Sequence, residues 1–263
     1  MRRILAITIS FIFIFTATAA YAAPIGNPSL PTMLKKGIFF KDENSTFGLL
    51  VIPEADFTLD RKLDKGKEKH IYSFYGSRAG IVMADRFFVY GLGGAAEAKQ
   101  KFEVSSGNEI EWKTEMGASW GVGAAILLYQ KDITIRDKAT LSIGIDGKYR
   151  SSDLDVEEVI RNGASNSATA SGLKYDYDEM QVAAGISVQF DQFIPYGGVK
   201  YADTNGEAAA TINGVRYVQD FEPEYNFGVF AGMDIIINDS FAVNVEGRFK
   251  DETAVGVSGI VRF

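Results

Sequence analysis

From Phe47 onward the chain alternates with a period of two. In Phe47–Asp60 the odd positions Phe47, Leu49, Val51, Pro53, Ala55, Phe57 and Leu59 are apolar, and Glu54, Asp56, Thr58 and Asp60 take the even ones. Met116, Ala118, Trp120, Val122, Ala124, Ile126 and Leu128 form a second apolar row, opposed by Glu115, Gly117, Ser119, Gly121 and Gly123. Thr140–Arg150, Glu179–Phe190 and Phe241–Lys250 repeat the scheme. Successive side chains on a strand face opposite sides, whereas a helical period of 3.6 would carry charges onto each apolar row. These runs predict strands. The last one, Thr253–Phe263, alternates to its final residue and stops on an aromatic.

Turn signals divide the pattern. Very short connections fall at Ala84-Asp85, Asp191-Gln192 and Asn238-Asp239, with a moderate one at Lys131–Lys138. Longer polar ones run through Arg61–Lys69, Val104–Asn108, Ser151–Lys174 and Asp203–Pro223. Between them lie the predicted strands Phe47–Asp60, His70–Met83, Arg86–Phe102, Ile110–Tyr129, Ala139–Arg150, Tyr175–Phe190, Phe193–Ala202, Tyr225–Ile237, Phe241–Lys250 and Thr253–Phe263. The expectation is an all-β, antiparallel up-and-down transmembrane barrel of about ten strands, with eight or twelve as the alternatives. Alternation by itself also suits a soluble β-sandwich, whose apolar rows pack on one another.

The start of the chain and the composition choose between the two. Arg2 and Arg3 precede an apolar run from Ile4 to Thr16, too short to span a bilayer, and Ala20-Tyr21-Ala22 supplies a small-residue cleavage site. The division expected is a signal peptide at 1–22, an N-terminal periplasmic or plug-like segment at 23–45, and a barrel at 46–263. Aromatics make up 13% of the chain and glycines number 27. Aromatic rings favour the membrane–water boundary, and glycine relieves crowding inside a narrow barrel. These features, the terminal Phe263 and the loop asymmetry select a barrel in an outer membrane.

Charge excludes one class of partner. With 27 basic and 34 acidic residues the net charge is −7, and losing Arg2 and Arg3 makes the mature chain more acidic still. Nucleic acid is therefore not an expected partner. The partners expected are outer-membrane lipids and lipopolysaccharide, and the barrel-assembly machinery acting on the C-terminal strand. Oligomeric state is left open. The chain has no cysteine.

Four constellations bear on chemistry. His70, the only histidine, follows Lys67-Glu68-Lys69 with no D-x-H pattern, and reads as a rim residue rather than a catalytic base. Gly91-Leu92-Gly93-Gly94-Ala95-Ala96 mimics a dinucleotide turn but lies within alternation instead of a βαβ unit, so its glycines read as relief of barrel crowding. The acids of Asp153–Glu158 and Asp176–Glu179 lack EF-hand spacing and read as a solvated loop. The fourth is a row of lumen-facing charges: Glu54, Asp56, Arg78, Glu115, Asp146, Lys148, Arg150, Glu179, Lys200, Asp234, Glu246, Arg248 and Arg262. Both signs occur, so pairing across a constricted or closed lumen is expected at least as much as ion conduction. No catalytic set, cofactor or metal site is expected.

The stretch Pro24-Ile25-Gly26-Asn27-Pro28-Ser29, with Gly37-Ile38 and Asp56-Phe57-Thr58-Leu59-Asp60-Arg61, resembles the mature N-terminus and first strand of chlamydial-type major outer-membrane porins. The resemblance covers about forty residues and implies a passive porin-like or structural surface protein. The alternative is an adhesin or recognition protein whose closed barrel displays its loops, and an outer-membrane hydrolase stands behind both.

Overall fold

Alternation becomes a closed ring in the structure, a computed structural model that describes residues 25–38, 47–63, 69–104, 108–134, 138–161, 164–165, 170–212 and 215–263. The expected signal peptide and its cleavage site lie outside the described residues. The strands are β1 (Phe47–Lys62), β2 (Lys69–Met83), β3 (Phe87–Val104), β4 (Asn108–Thr114), β5 (Gly117–Thr134), β6 (Lys138–Leu154) and β7 (Val156–Arg161). They continue as β8 (Ala164–Ser165), β9 (Ala170–Gln189), β10 (Phe193–Ile212), β11 (Val215–Phe221), β12 (Phe227–Asn238), β13 (Phe241–Phe249) and β14 (Glu252–Arg262).

Ten of these, β1, β2, β3, β5, β6, β9, β10, β12, β13 and β14, pair in antiparallel sequence order, and β14 returns to β1. The closing seam runs from Leu50↔Arg262 to Arg61↔Glu252 and includes Phe263 N–H donating to the Leu49 carbonyl at 2.8 Å. Full closure removes the exposed edges that an open sheet would present.

One end of the barrel is made of tight turns. Ala84 and Asp85 both have positive φ (52° and 49°), the left-handed pair that matches the twist of a hairpin, and Asp191 (φ 53°) serves the turn from β9 to β10. The other end carries tall hairpins. The segments of β7 and β11, expected as polar loops, are strands there: β4 pairs with β3 and β7, and β11 with β10, forming a crown above the barrel proper. The single strand expected over Ile110–Tyr129 is broken at Glu115-Met116 into β4 and β5.

Facing follows the parity of the sequence. On β14 Glu252, Ala254, Ser258, Ile260 and Arg262 are buried, and Val257 is exposed. Outward rows stay apolar all round: Leu49 on β1, Ile81 on β2, Val122 on β5, Ile145 on β6, Ile186 on β9, Val199 on β10 and Val245 on β13 are each at least 38% exposed. The interior is filled by side chains, as expected for a barrel of this strand number.

Candidate functional site

The lumen is built in layers. At the tight-turn end, residues 25–38 run inside the ring as a strap containing one helical turn, Leu30–Met33. Leu30, Met33 and Leu34 pack in one apolar cluster with Leu50, Ile52, Val82, Phe88, Ile194, Ala242 and Ile260. Lys36 N–H donates to the Asp239 carbonyl (3.2 Å) and Ile38 N–H to that of Arg262 (3.0 Å), tying the strap to the last strands. The Arg262 guanidinium donates to the Leu34 carbonyl.

Above the apolar layer the strap ends among carboxylates. Ile25 and Gly26 N–H donate to Glu246 Oε1 and Oε2 at 2.8 and 3.0 Å, and Asn27 Nδ2 donates to Asp234 Oδ2 at 2.6 Å. Tyr196 Oη also donates to Glu246 (3.0 Å). Arg78 Nε meets Glu54 at 2.7 Å, and Tyr90 Oη donates to both oxygens of Asp146. Lys148 is buried one step along β6 from Asp146, on the same face.

The middle layer is an ion-pair lattice. Arg248 bonds Asp56 at 2.8 Å and Glu246 at 3.1 Å, and its Nε lies 3.2 Å from Glu252. Arg150 reaches Asp56 and Glu179, both at 3.4 Å, with its guanidinium 4.5 Å from the centre of the Tyr72 ring. Arg61 spans Glu179 (2.8 Å) and Glu252 and donates to Tyr177 Oη (2.8 Å) and Thr204 Oγ1. Lys200 pairs with Asp251 (2.7 Å) and Glu252. A layer of rings and apolar side chains closes the crown end: His70, Tyr72, Tyr175 and Tyr177 stack, roofed by Leu63, Ile110, Trp112, Leu154, Val156 and Val159.

Of the charges expected in the lumen, all but Glu115 are buried there. Glu115 is exposed in the break between β4 and β5, where its N–H donates to the Asp155 carbonyl, so the parity that assigned it inward no longer applies. His70 is a second correction. It is fully buried among tyrosine rings, because strand β2 begins before it and its even parity matches Tyr72, Phe74 and Arg78. Arg61, Asp251 and Glu252 belong to the lattice and were not expected. A bulge after Thr58 shifts β1 by one residue and swings Arg61 inward, which alternation cannot anticipate. Among the described residues of the barrel interior, below the crown, buried carboxylates outnumber buried Lys and Arg by one.

What the arrangement does physically is occlude. A cavity along the strap has a volume of about 20 Å³, room for a single water, and is lined by strap residues with Gly144, Asp146, Ala183, Gly185 and Phe230. Outside the barrel proper, the crown carries a charge cluster in which Glu111 meets Lys99 (2.5 Å) and Lys101 (2.8 Å). Partial burial pushes the Glu111 carboxyl up, but these two ammonium groups outweigh it and hold it below the ordinary range.

Among solved structures the chain is similar to the transport unit of the autotransporter AIDA-I from Escherichia coli (12% identity, 92% of this chain and 98% of that one, TM-score 0.31). It is also similar to the Ralstonia pickettii toluene transporter TbuX (11% identity, 82% and 87% covered, TM-score 0.31). A third is the CymD monoaromatic hydrocarbon channel (10% identity, 93% of each chain, TM-score 0.28). No protein-family model and no curated protein matches the chain. Likeness at this level carries no functional argument, and the barrel stands on its own strand pairing.

Proposed function

We propose that the protein is an integral outer-membrane barrel, exported through a cleaved signal peptide, that is closed to solutes in this conformation and serves as a structural surface protein. The observation that carries the reading is the filled lumen: an apolar strap at one end, a roofed ring stack at the other, and paired charges between. Porin-like passage of a small solute requires the strap and at least one paired layer to move aside. The outward apolar rows supply the surface for lipid and lipopolysaccharide, and the alternating C-terminal strand supplies the signal for barrel assembly. An active-site role for His70 has no support in its setting, since tyrosine rings enclose it.

A second reading, surface recognition by the crown, is favoured by one feature. Strands β3, β6, β9 and β10 continue past the barrel with β4, β7 and β11 as a tall, charged wall on one side, while β12 to β14 stop short. Planar-bilayer recording of the refolded mature chain tests the first reading. No unitary conductance steps are expected, and regular steps at modest voltage would overturn it.

A further inference from the structure

The strap is seated by two unlike walls. On the side of β6 and β9, Gly144 and Gly185 are cross-strand partners, and an added Cβ at either would come within 3.0 to 3.2 Å of Pro28. That wall offers the strap surface contact only, next to the small cavity. On the side of β12 and β13 the hydrogen bonds of residues 25–27 to the barrel all run from donors to carboxylates, while the Ile25 side chain packs with Phe230 and Tyr196.

Two parallel N–H groups, from Ile25 and Gly26, reach the two oxygens of Glu246. This is the fork that a guanidinium or amidinium presents to a carboxylate, reproduced in backbone. Asp234 is fully enclosed, yet among the described residues its hydrogen bonds come from the amides of Asn27 and Asn244 and no cation lies within ion-pair distance. Asn244 is itself 3% exposed and gives its N–H groups to Tyr196 Oη and Asp234, while its Oδ1 has no partner. Glu246 also accepts from Arg248 (3.1 Å), so the unmatched acceptors are those of Asp234 and Asn244, beside the rings of Tyr196 and Phe230.

We propose that this vestibule is a binding site for a small organic cation, an amidinium, guanidinium or amine, and that strap residues 25–27 occupy it as the barrel's own stand-in. Two carboxylates and a free amide oxygen match the donors of such a cation, and the neighbouring rings suit its charge. Access is from the tight-turn end, where the strap emerges at the exposed Lys35 and Ile38. Because the strap competes for the same acceptors, the apparent affinity of the unaltered chain is reduced by the fraction of time the strap is seated.

The test uses the full-length mature chain refolded in detergent, with benzamidine as the probe in calorimetric titration and heat-dependent gel mobility as the check on barrel closure. Leu30→Glu with Leu34→Glu weakens the strap's apolar anchor and leaves the acceptors intact. Binding about tenfold tighter than in the unaltered chain is expected, through relief of that competition. Adding Asp234→Asn and Glu246→Gln should abolish it. Asn27→Ala, which spares the apolar anchor, should give a smaller gain in the same direction and decides the matter should the doubly charged strap prevent folding. A folded variant that binds no better than the unaltered chain overturns the site, and so does binding that survives loss of both carboxylates. Conductance through the unaltered barrel would instead overturn the closed-lumen reading, which these titrations leave separate.

Discussion

Val245→Arg places one charge at the centre of the surface that the account assigns to lipid. Val245 is the middle residue of the nine in β13, faces outward, and is flanked in register by Met233 on β12 and Val257 on β14. An arginine near the bilayer midplane of a barrel costs about 2–4 kcal/mol, falling to about 0–1 kcal/mol near the interfaces. At 1.4 kcal/mol per factor of ten, the folding constant should drop about 30- to 700-fold. The same change on a water-facing strand surface stays within about 0.5 kcal/mol. The two readings are therefore separated by more than the error of the measurement. The assay is urea titration of the chain folded into phospholipid vesicles, with Thr253→Arg, at the crown end of β14, as the control expected to cost little. A Val245→Arg cost no larger than that of Thr253→Arg would refute the assignment of this face.

Three further outcomes follow from the interior and the crown. Arg248→Met leaves Asp56, Glu246 and Glu252 short of a shared cation and should destabilise the barrel by about 3–5 kcal/mol, read from the same titration. Gly80→Ala should cost about 1–3 kcal/mol, because its Cβ would lie 2.2 Å from the Val89 carbonyl oxygen, whereas Gly93→Ala meets nothing within 4 Å and should be neutral within about 0.5 kcal/mol. Glu111 has a lowered carboxyl pKa in the folded crown. Its stabilising contribution is thus complete above the unfolded value near 4.5 and is lost as the pH falls through the lower folded value, which amide exchange across Ile110–Lys113 should register as faster opening in acid.

Much of this barrel is legible in the residues because a period of two leaves each side chain only one of two faces. The parity of Glu54, Asp56, Arg150, Glu246 and Arg262 was enough to set them inside. His70 was legible by the same rule, since it shares parity with Arg78, but its charged neighbours Lys67, Glu68 and Lys69 drew it to the rim. Arg61 was not legible, because the bulge beside it depends on how β1 meets β2 and β14. Asp251 and Glu252 hide in a connection too short to separate turn from strand. The crown hides for a physical reason as well: hairpins standing in water need no apolar row, so β7 and β11 look like polar loops. The glycines of Gly91–Gly94 divide similarly. Crowding accounts for Gly94, whose Cβ would lie 2.3 Å from the Tyr75 carbonyl oxygen, and does not account for Gly93.

The premise beneath all of this is that hydrocarbon wets the outward rows, and sedimentation of the purified mature chain with and without detergent addresses it most directly. A folded, heat-modifiable barrel that sediments only together with a belt of bound detergent is the predicted result. A monodisperse, folded chain in plain buffer would contradict it.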